Sequence, residues 1–357
     1  MSHLESIKAI LPEGSALLVT SAVNQRWLTN FDYTDGYVLV THGKSYLITD
    51  FRYIEAAHNE ADPGFEIVMP EDRSMIAEIA AHLKEEGITK VAVEDATLSL
   101  SDFEMIKSRI EGVEFVSGGS KITDELRRYK DAGEIEKIKK AQSLTDAAFD
   151  HILGYITPDK TEIDVALELE FFMRKNGADG IAFETIAVSG SASSMPHGVP
   201  RPVKLEKGFL TLDYGAKYQG YCSDMTRTVV IGKADDDMKR LYNTVLEAQL
   251  AAISALEAGE RGRAKLDKIA RDIIDNAGYK GCFGHSLGHG VGMYIHEAPG
   301  LSSRAPEDAL LGVGDVITTE PGIYISGKYG CRIEDMIAIT ESGIYDFTKS
   351  PKNLIEL

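Results

Sequence analysis

The chain has 357 residues, 43% of them hydrophobic and 26% charged, and a formal net charge of −18. Its length exceeds the roughly 250–300 residues at which a single core stops growing, so two domains are expected, and an acidic chain without a basic run excludes a nucleic-acid role, which needs clustered lysine and arginine. No uncharged apolar run approaches the ~20 residues that span a bilayer, the N-terminus lacks a secretory pattern, and Cys222, Cys282 and Cys331 are too scattered for a disulfide framework; the expectation is a cytoplasmic protein with no membrane partner.

Toward the N-terminus, short β-rich runs alternate with helical ones. Strands are predicted over 16–20, over 37–41 and 44–50 as a hairpin around His42 and Gly43, and over 66–69, 91–94 and 114–116. Helices are predicted over 51–60, 74–86 and 102–110. This spacing reads as a small α/β sandwich with neither a glycine-rich phosphate loop nor clustered metal ligands. Residues 121–140, KITDELRRYKDAGEIEKIKK, are dense in both charges, and the apolar Leu126, Ile135 and Ile138 suit a surface helical linker. The boundary falls there, giving domains 1–122 and 123–357. Further on, helices are predicted over 141–156, 162–175, 236–256 and 264–276, and strands over 182–189, 209–214, 221–231, 316–319 and 332–339. The second part is therefore α+β, and the candidate chemistry lies on its strands and turns.

Four short segments there carry chemistry. In LDYGAKYQGYCSDMTRT, residues 212–228, a glycine-containing turn separates two β-runs, so Asp213 and Asp224 can face each other across an antiparallel pair. Cys222, Asp224 and Thr226 share one strand face. Two acids on a buried strand are unfavourable unless compensated, and a metal ion is the simplest compensation. In GHSLGHGVGMYIHEAPG, residues 284–300, His285, His289 and His296 stand among glycines that allow close backbone approach. His289 is the natural ligand, which leaves the other two to touch the reacting groups. His3, His42, His58, His82 and His151 have no comparable context. In TTEPGIY the Pro321-Gly322 pair ends a strand behind Glu320, and in CRIED Arg332 and Glu334 share a strand face, placing a cation beside a carboxylate. Asp213, Asp224, His289, Glu320 and Glu334 together suit two adjacent divalent ions, manganese first, with cobalt, zinc or iron also accepted by such donors. Ions ~3.5–4 Å apart activate a bridging water, which points to a hydrolase.

These segments, with SGSASSMPHGVP ahead of them, resemble in type and order the pita-bread metallopeptidase family, which includes methionine aminopeptidase, aminopeptidase P and prolidase. The resemblance extends to the N-terminal domain and covers nearly the whole chain. It implies an α+β pita-bread catalytic domain behind a smaller creatinase/prolidase-like α/β domain. It also implies that Asp213 chelates one metal, that Asp224 and Glu334 bridge the pair, and that His289 and Glu320 hold the second metal. His197 and His296 resemble the family histidines that bind substrate and stabilise the tetrahedral intermediate. His285 and Arg332 match positions of the proline-side pocket, and Phe183 a wall of the pocket for the first residue. The implied reaction is attack of a metal-bridging hydroxide on the carbonyl of an N-terminal Xaa-Pro bond, with Glu320 relaying a proton to the proline nitrogen. Proline-containing peptides are the implied substrates and a homodimer the implied assembly.

Within the family, methionine aminopeptidases lack this kind of N-terminal domain and the Arg-Ile-Glu-Asp of residues 332–335, and creatinase lacks the complete ligand set. Dipeptidases clamp the substrate carboxylate with a cation, some of them by an arginine soon after the H-E-x-P segment. Here Gly300 follows Pro299 and the next arginine is Arg304. The expected activity is therefore that of an aminopeptidase P, with a strict Xaa-Pro dipeptidase as the alternative, using Arg304 or Arg332 as its clamp. A non-catalytic binding protein of the same fold is a further alternative.

Overall fold

The computed structural model describes residues 2–71 and 74–357. It divides into two compact units, one running through Arg127 and the other from Arg128 to Leu357.

The first unit contains α1 (His3–Ile10), β1 (Ser15–Val19), α2 (Ala22–Thr29), β2 (Gly36–Thr41), β3 (Ser45–Thr49), α3 (Ile54–Glu60), β4 (Glu66–Val68), α4 (Met75–Glu85), β5 (Lys90–Val93), α5 (Leu100–Arg109), β6 (Glu114–Val116) and α6 (Gly119–Arg128). Its strands form one mixed sheet in the order β4-β3-β2-β1-β5-β6. The three strands β1, β2 and β3 pair antiparallel, and β4, β5 and β6 join them parallel. Every residue of β1 and β3 is buried, because apolar side chains cover both faces. Leu18, Leu39 and Ile48 pack with Ile79, Leu83 and Ile106 of the helices, while Leu47 packs with Phe31, Tyr33 and Ala57. Period-two alternation therefore fades in the central strands. The two short helices α1 and α2 are absent from the sequence expectation; each has eight residues, too few for a clear 3.6-residue pattern.

The charged run 121–140 departs from its expectation as one solvated linker helix. It is split between α6 and α7 (Ala132–Tyr155), and Arg127, Lys130, Glu134 and Ile138 within it are buried. Burial is tolerated because the charges are partnered. Lys130 Nζ lies 2.5 Å from Glu297 Oε1, and Glu134 accepts the Tyr221 hydroxyl at 2.7 Å.

The second unit continues with α8 (Glu162–Lys175), β7 (Gly180–Ile181), β8 (Ile186–Ser189), β9 (Gly208–Tyr214), β10 (Ala216–Tyr218), β11 (Tyr221–Cys222), β12 (Met225–Ile231), α9 (Asp236–Glu257), α10 (Arg263–Ile274), β13 (Gly288–Gly290), β14 (Glu297–Leu301), β15 (Val316–Thr319), β16 (Gly322–Ile325), β17 (Tyr329–Arg332), β18 (Asp335–Thr340) and β19 (Gly343–Asp346). Side-chain caps set the starts of the long helices: Asp131 and Glu134 form a reciprocal capping box on α7, Thr161 and Asp164 another on α8, and Asp235 caps α9. Helices α7 and α8 cover the antiparallel sheet β12-β9-β8 through Leu144, Phe149, Val165, Leu169, Leu210 and Leu212. Helices α9 and α10 cover β14-β13-β15-β18-β19 through Leu241, Val245, Leu266, Ile317 and Ile337. Mixed helices and antiparallel sheets are the α+β arrangement expected. Among the described residues no helix is long and apolar enough to cross a membrane.

Two predicted strands are interrupted, each at a candidate ligand. The run 221–231 is β11 and β12 separated at Ser223 and Asp224, and the run 332–339 is the end of β17 and most of β18, separated at Ile333 and Glu334. Both carboxylates therefore leave the ladder where the backbone changes direction, the kind of break that re-aims a side chain.

Candidate active site

Asp213 lies near the end of β9, directly opposite Thr226 of β12. Asp213 and Thr226 are direct partners and so share one side of the strand pair, and Asp224 stands just ahead of β12. The close approach depends on Gly215, where a Cβ would fall 1.8 Å from the Ser223 carbonyl oxygen. His289 sits in the middle of the three-residue β13. Gly288 before it allows Thr318 of β15 to cross, since a Cβ there would meet the Thr318 carbonyl at 2.1 Å. Thr318 Oγ1 accepts the His289 N–H at 3.1 Å and donates to Glu320 Oε1 at 3.2 Å, fixing imidazole and carboxylate together. Glu334 is buried and its Oε2 accepts the Thr226 hydroxyl at 2.7 Å.

Donor atoms of Asp224, His289 and Glu334 all lie within 4.8 Å of one another. The His289 Nδ1 pairs with the Gly290 carbonyl at 3.0 Å, which places the ring proton on that nitrogen and leaves Nε2 as a lone pair. That lone pair faces Asp224 Oδ2 and Glu320 Oε1, each at 3.4 Å. Burial holds the His289 pKa down to about 4, so at neutral pH the imidazole is neutral and its Nε2 offers a lone pair to the carboxylates around it. The Oδ1 atom of Asp213 is also buried without a hydrogen-bond partner. Burial, reinforced by the neighbouring carboxylates, drives Asp224 and Glu334 well above the usual carboxylate range, and burial lifts Glu320 to about 8. Divalent cations resolve all of these features, and the oxygen-rich donor set with one imidazole fits them.

Arg332 does not stand directly beside Glu334, as a continuous strand would have placed it. Its Nη2 pairs with Asp213 Oδ2 at 2.6 Å and its Nε donates to Thr226 Oγ1 at 2.9 Å, so that Thr226 links the guanidinium to Glu334. Its Nη1 donates to the Tyr324 hydroxyl at 2.6 Å, which in turn meets His285 Nε2 at 3.1 Å. The other ring nitrogen of His285 pairs with the Ser286 carbonyl at 2.9 Å, and burial, with help from Arg332, lowers the His285 pKa to about 4. The imidazole is neutral and accepts from Tyr324.

Asp213, Asp224, His285, His289, Glu320, Arg332 and Glu334 open onto one cavity of about 420 Å³, large enough for a small peptide. His296 lines it with its ring 4.3 Å from that of His289. Phe183 forms part of the wall, its ring edge 3.1 Å from the position a Gly215 Cβ would take. His197 lines the exposed side. Its loop is tied down by Glu162, whose carboxylate accepts the Arg201 N–H and Nε at 2.9 Å, Arg201 Nη2 at 2.6 Å and the Ser189 N–H at 2.7 Å. All ten sequence-derived candidates thus border the same space, whereas Arg304 is exposed and not among the lining residues. Thr226, Thr318 and Tyr324 were not foreseen. The two threonines stand two residues from Asp224 and Glu320 and share their strand faces, a usable signal. Tyr324 reaches Arg332 only because Gly322 pairs with Arg332 across the β16–β17 hairpin, and nothing local announces that.

Comparison with known proteins follows the same division. The family model described as Metallopeptidase family M24 matches residues 136–341, and that of the Creatinase/Prolidase N-terminal domain matches residues 13–129. An uncharacterized peptidase of Bacillus subtilis is 42% identical over 342 residues, which cover 96% of this chain and 95% of that one. The structure of an Xaa-Pro dipeptidase from Bacillus anthracis superposes with a TM-score of 0.93 at 43% identity, covering 99% of both chains. An X-Pro aminopeptidase from Thermotoga maritima superposes with a TM-score of 0.91 at 35% identity, covering 99% of this chain and 100% of that one.

Proposed function

Because this chain belongs to metallopeptidase family M24, we propose that it hydrolyses the Xaa-Pro bond at the N-terminus of peptides longer than two residues. The observation that carries this choice is the state of Arg332. It is the one lysine or arginine lining the cavity among the described residues, and its guanidinium is committed to Asp213, Thr226 and Tyr324. A dipeptide presents its free carboxylate next to the proline ring and needs a cation there. A longer peptide presents a neutral amide.

In this reading Asp213, Asp224, His289, Glu320 and Glu334 hold two divalent ions, manganese first. When bound, such ions polarise the scissile carbonyl and lower the pKa of water. His296, adjacent to His289, donates to the carbonyl oxygen as it gains charge. His197, on its anchored loop, helps position the substrate from the exposed side. The bond attacked has no N–H, since proline lacks one; like any amide nitrogen, that of proline must gain a proton to leave as an amine, and Glu320 is the carboxylate that passes it. The neutral His285 and Arg332, both hydrogen-bonded to Tyr324, form the wall against the proline. We further place the enzyme in the cytoplasm as a homodimer acting on proline-containing peptides.

A strict dipeptidase is the second reading, favoured by the likeness to the Xaa-Pro dipeptidase of Bacillus anthracis at 43% identity. Ala-Pro and a longer peptide beginning Ala-Pro, each assayed with manganese and then with a chelator, separate the two. Cleavage of the longer peptide at its first bond is expected, and cleavage of the dipeptide alone would replace this reading with the second.

A further inference from the structure

Glu184 lines the same cavity but has no place in the chemistry above. The other four carboxylates there are engaged: Asp213 with Arg332, Glu334 with Thr226, Glu320 with Thr318, and Asp224 against His289. Glu184 is exposed, and no cation pairs with it among the described residues. Its location follows from the sheet. Ile186 pairs directly with Asp213, and Glu184 precedes Ile186 by two residues, about 6.6 Å along an extended chain. Both residues line the cavity, Ile186 buried beside the donor Asp213 and Glu184 exposed. Phe183, Ile186 and Ile295 give the cavity lining an apolar part. A cavity that offers apolar lining together with a carboxylate not committed to a cation among the described residues suits a flexible hydrocarbon stem with a cationic head.

We propose that Glu184 is a specificity-determining residue that favours substrates carrying lysine or arginine immediately before proline. This rests on the Xaa-Pro reading of the site, because the first residue's side chain must leave the donor set along this wall. The contact is open to water, so its worth is that of an exposed ion pair, on the order of a two- to five-fold preference.

The test compares kcat/KM for Lys-Pro-Ala, norleucine-Pro-Ala and Glu-Pro-Ala in the manganese-loaded enzyme and in Glu184→Gln and Glu184→Lys. Norleucine keeps the lysine stem without its charge. The expected result is a lysine-over-norleucine ratio that falls about two- to five-fold in Glu184→Gln, with Glu184→Lys shifting preference toward Glu-Pro-Ala. In the unsubstituted enzyme the same ratio should shrink as salt is raised, a measurement independent of how the variants fold. Cleavage of all three peptides with ratios unmoved by substitution or salt overturns the assignment of Glu184 alone. Equal losses on all three would overturn it too, since they would mean that Glu184 meets the substrate's α-ammonium. No cleavage of any of them overturns the Xaa-Pro reading together with it.

Discussion

Asp224 and Glu334 are buried carboxylates and Glu320 a half-buried one, gathered around one neutral imidazole, an arrangement that opposes folding whenever the acids are charged and no cation is present. For Glu320 the folded-state pKa is raised from the ordinary 4.5 to about 8, so between those values the folded chain holds more protons than the unfolded one. Stability of the metal-free protein should therefore fall as pH rises through that window. Saturating manganese should reverse the trend, because metal competes with protons for the same atoms; at 100 times its Kd it adds about 2.7 kcal/mol. Thermal melts between pH 5 and pH 8, with and without chelator, check this, and a metal-free melting temperature that stays level across the window would contradict it. Asp224→Asn removes a donor and a buried charge at once. Activity should drop at least ~100-fold, the upper range for disturbing groups that merely support ligands, while the metal-free melting temperature at pH 8 holds or rises. Full activity in this variant would remove Asp224 from the site.

At the scale of elements, the segment joining β13 to β14 carries His296, and it is held from both sides. The Cys222 N–H donates to the Gly292 carbonyl at 2.8 Å. At its far end Glu297 pairs with Lys130, with side chains only 6% and 1% exposed respectively. Removing one member of a buried pair strands the other, at a cost of about 3–5 kcal/mol. Lys130→Met should show that loss as a lower urea midpoint, and Lys130→Met with Glu297→Met should recover most of it, since an apolar pair of similar volume leaves no stranded charge. An unchanged midpoint in the single variant would mean that the pair is not buried in solution. The same scale explains why the charged run 121–140 misled: composition registers the charges, whereas whether Lys130 faces water depends on a partner 167 residues away.

For the whole molecule, a net charge of −18 makes copies of the chain repel one another, and two divalent ions offset part of it. If the chain forms the homodimer proposed above, the dimer fraction at fixed protein concentration should rise between about 0.01 M and 0.15 M salt as the screening length falls from ~30 Å to ~8 Å. Sedimentation velocity measures this directly, and a monomer at every salt concentration would refute the dimer.

The family, the two-part organisation and the ten residues that border one cavity could be read from the sequence, because glycine-flanked acids and histidines keep their local spelling whatever surrounds them. The α/β and α+β characters were legible too, since strand and helix periods are local properties of the chain. Tertiary structure decided what depends on distant partners. It broke the two predicted strands at Asp224 and Glu334, because those side chains turn out of the ladder toward a shared centre. It turned Arg332 to Asp213 and Tyr324 rather than to Glu334, through the register of two strand pairs. It also placed Glu184 on the cavity wall, which no spacing in the chain announces, because that wall is assembled from segments far apart in the sequence.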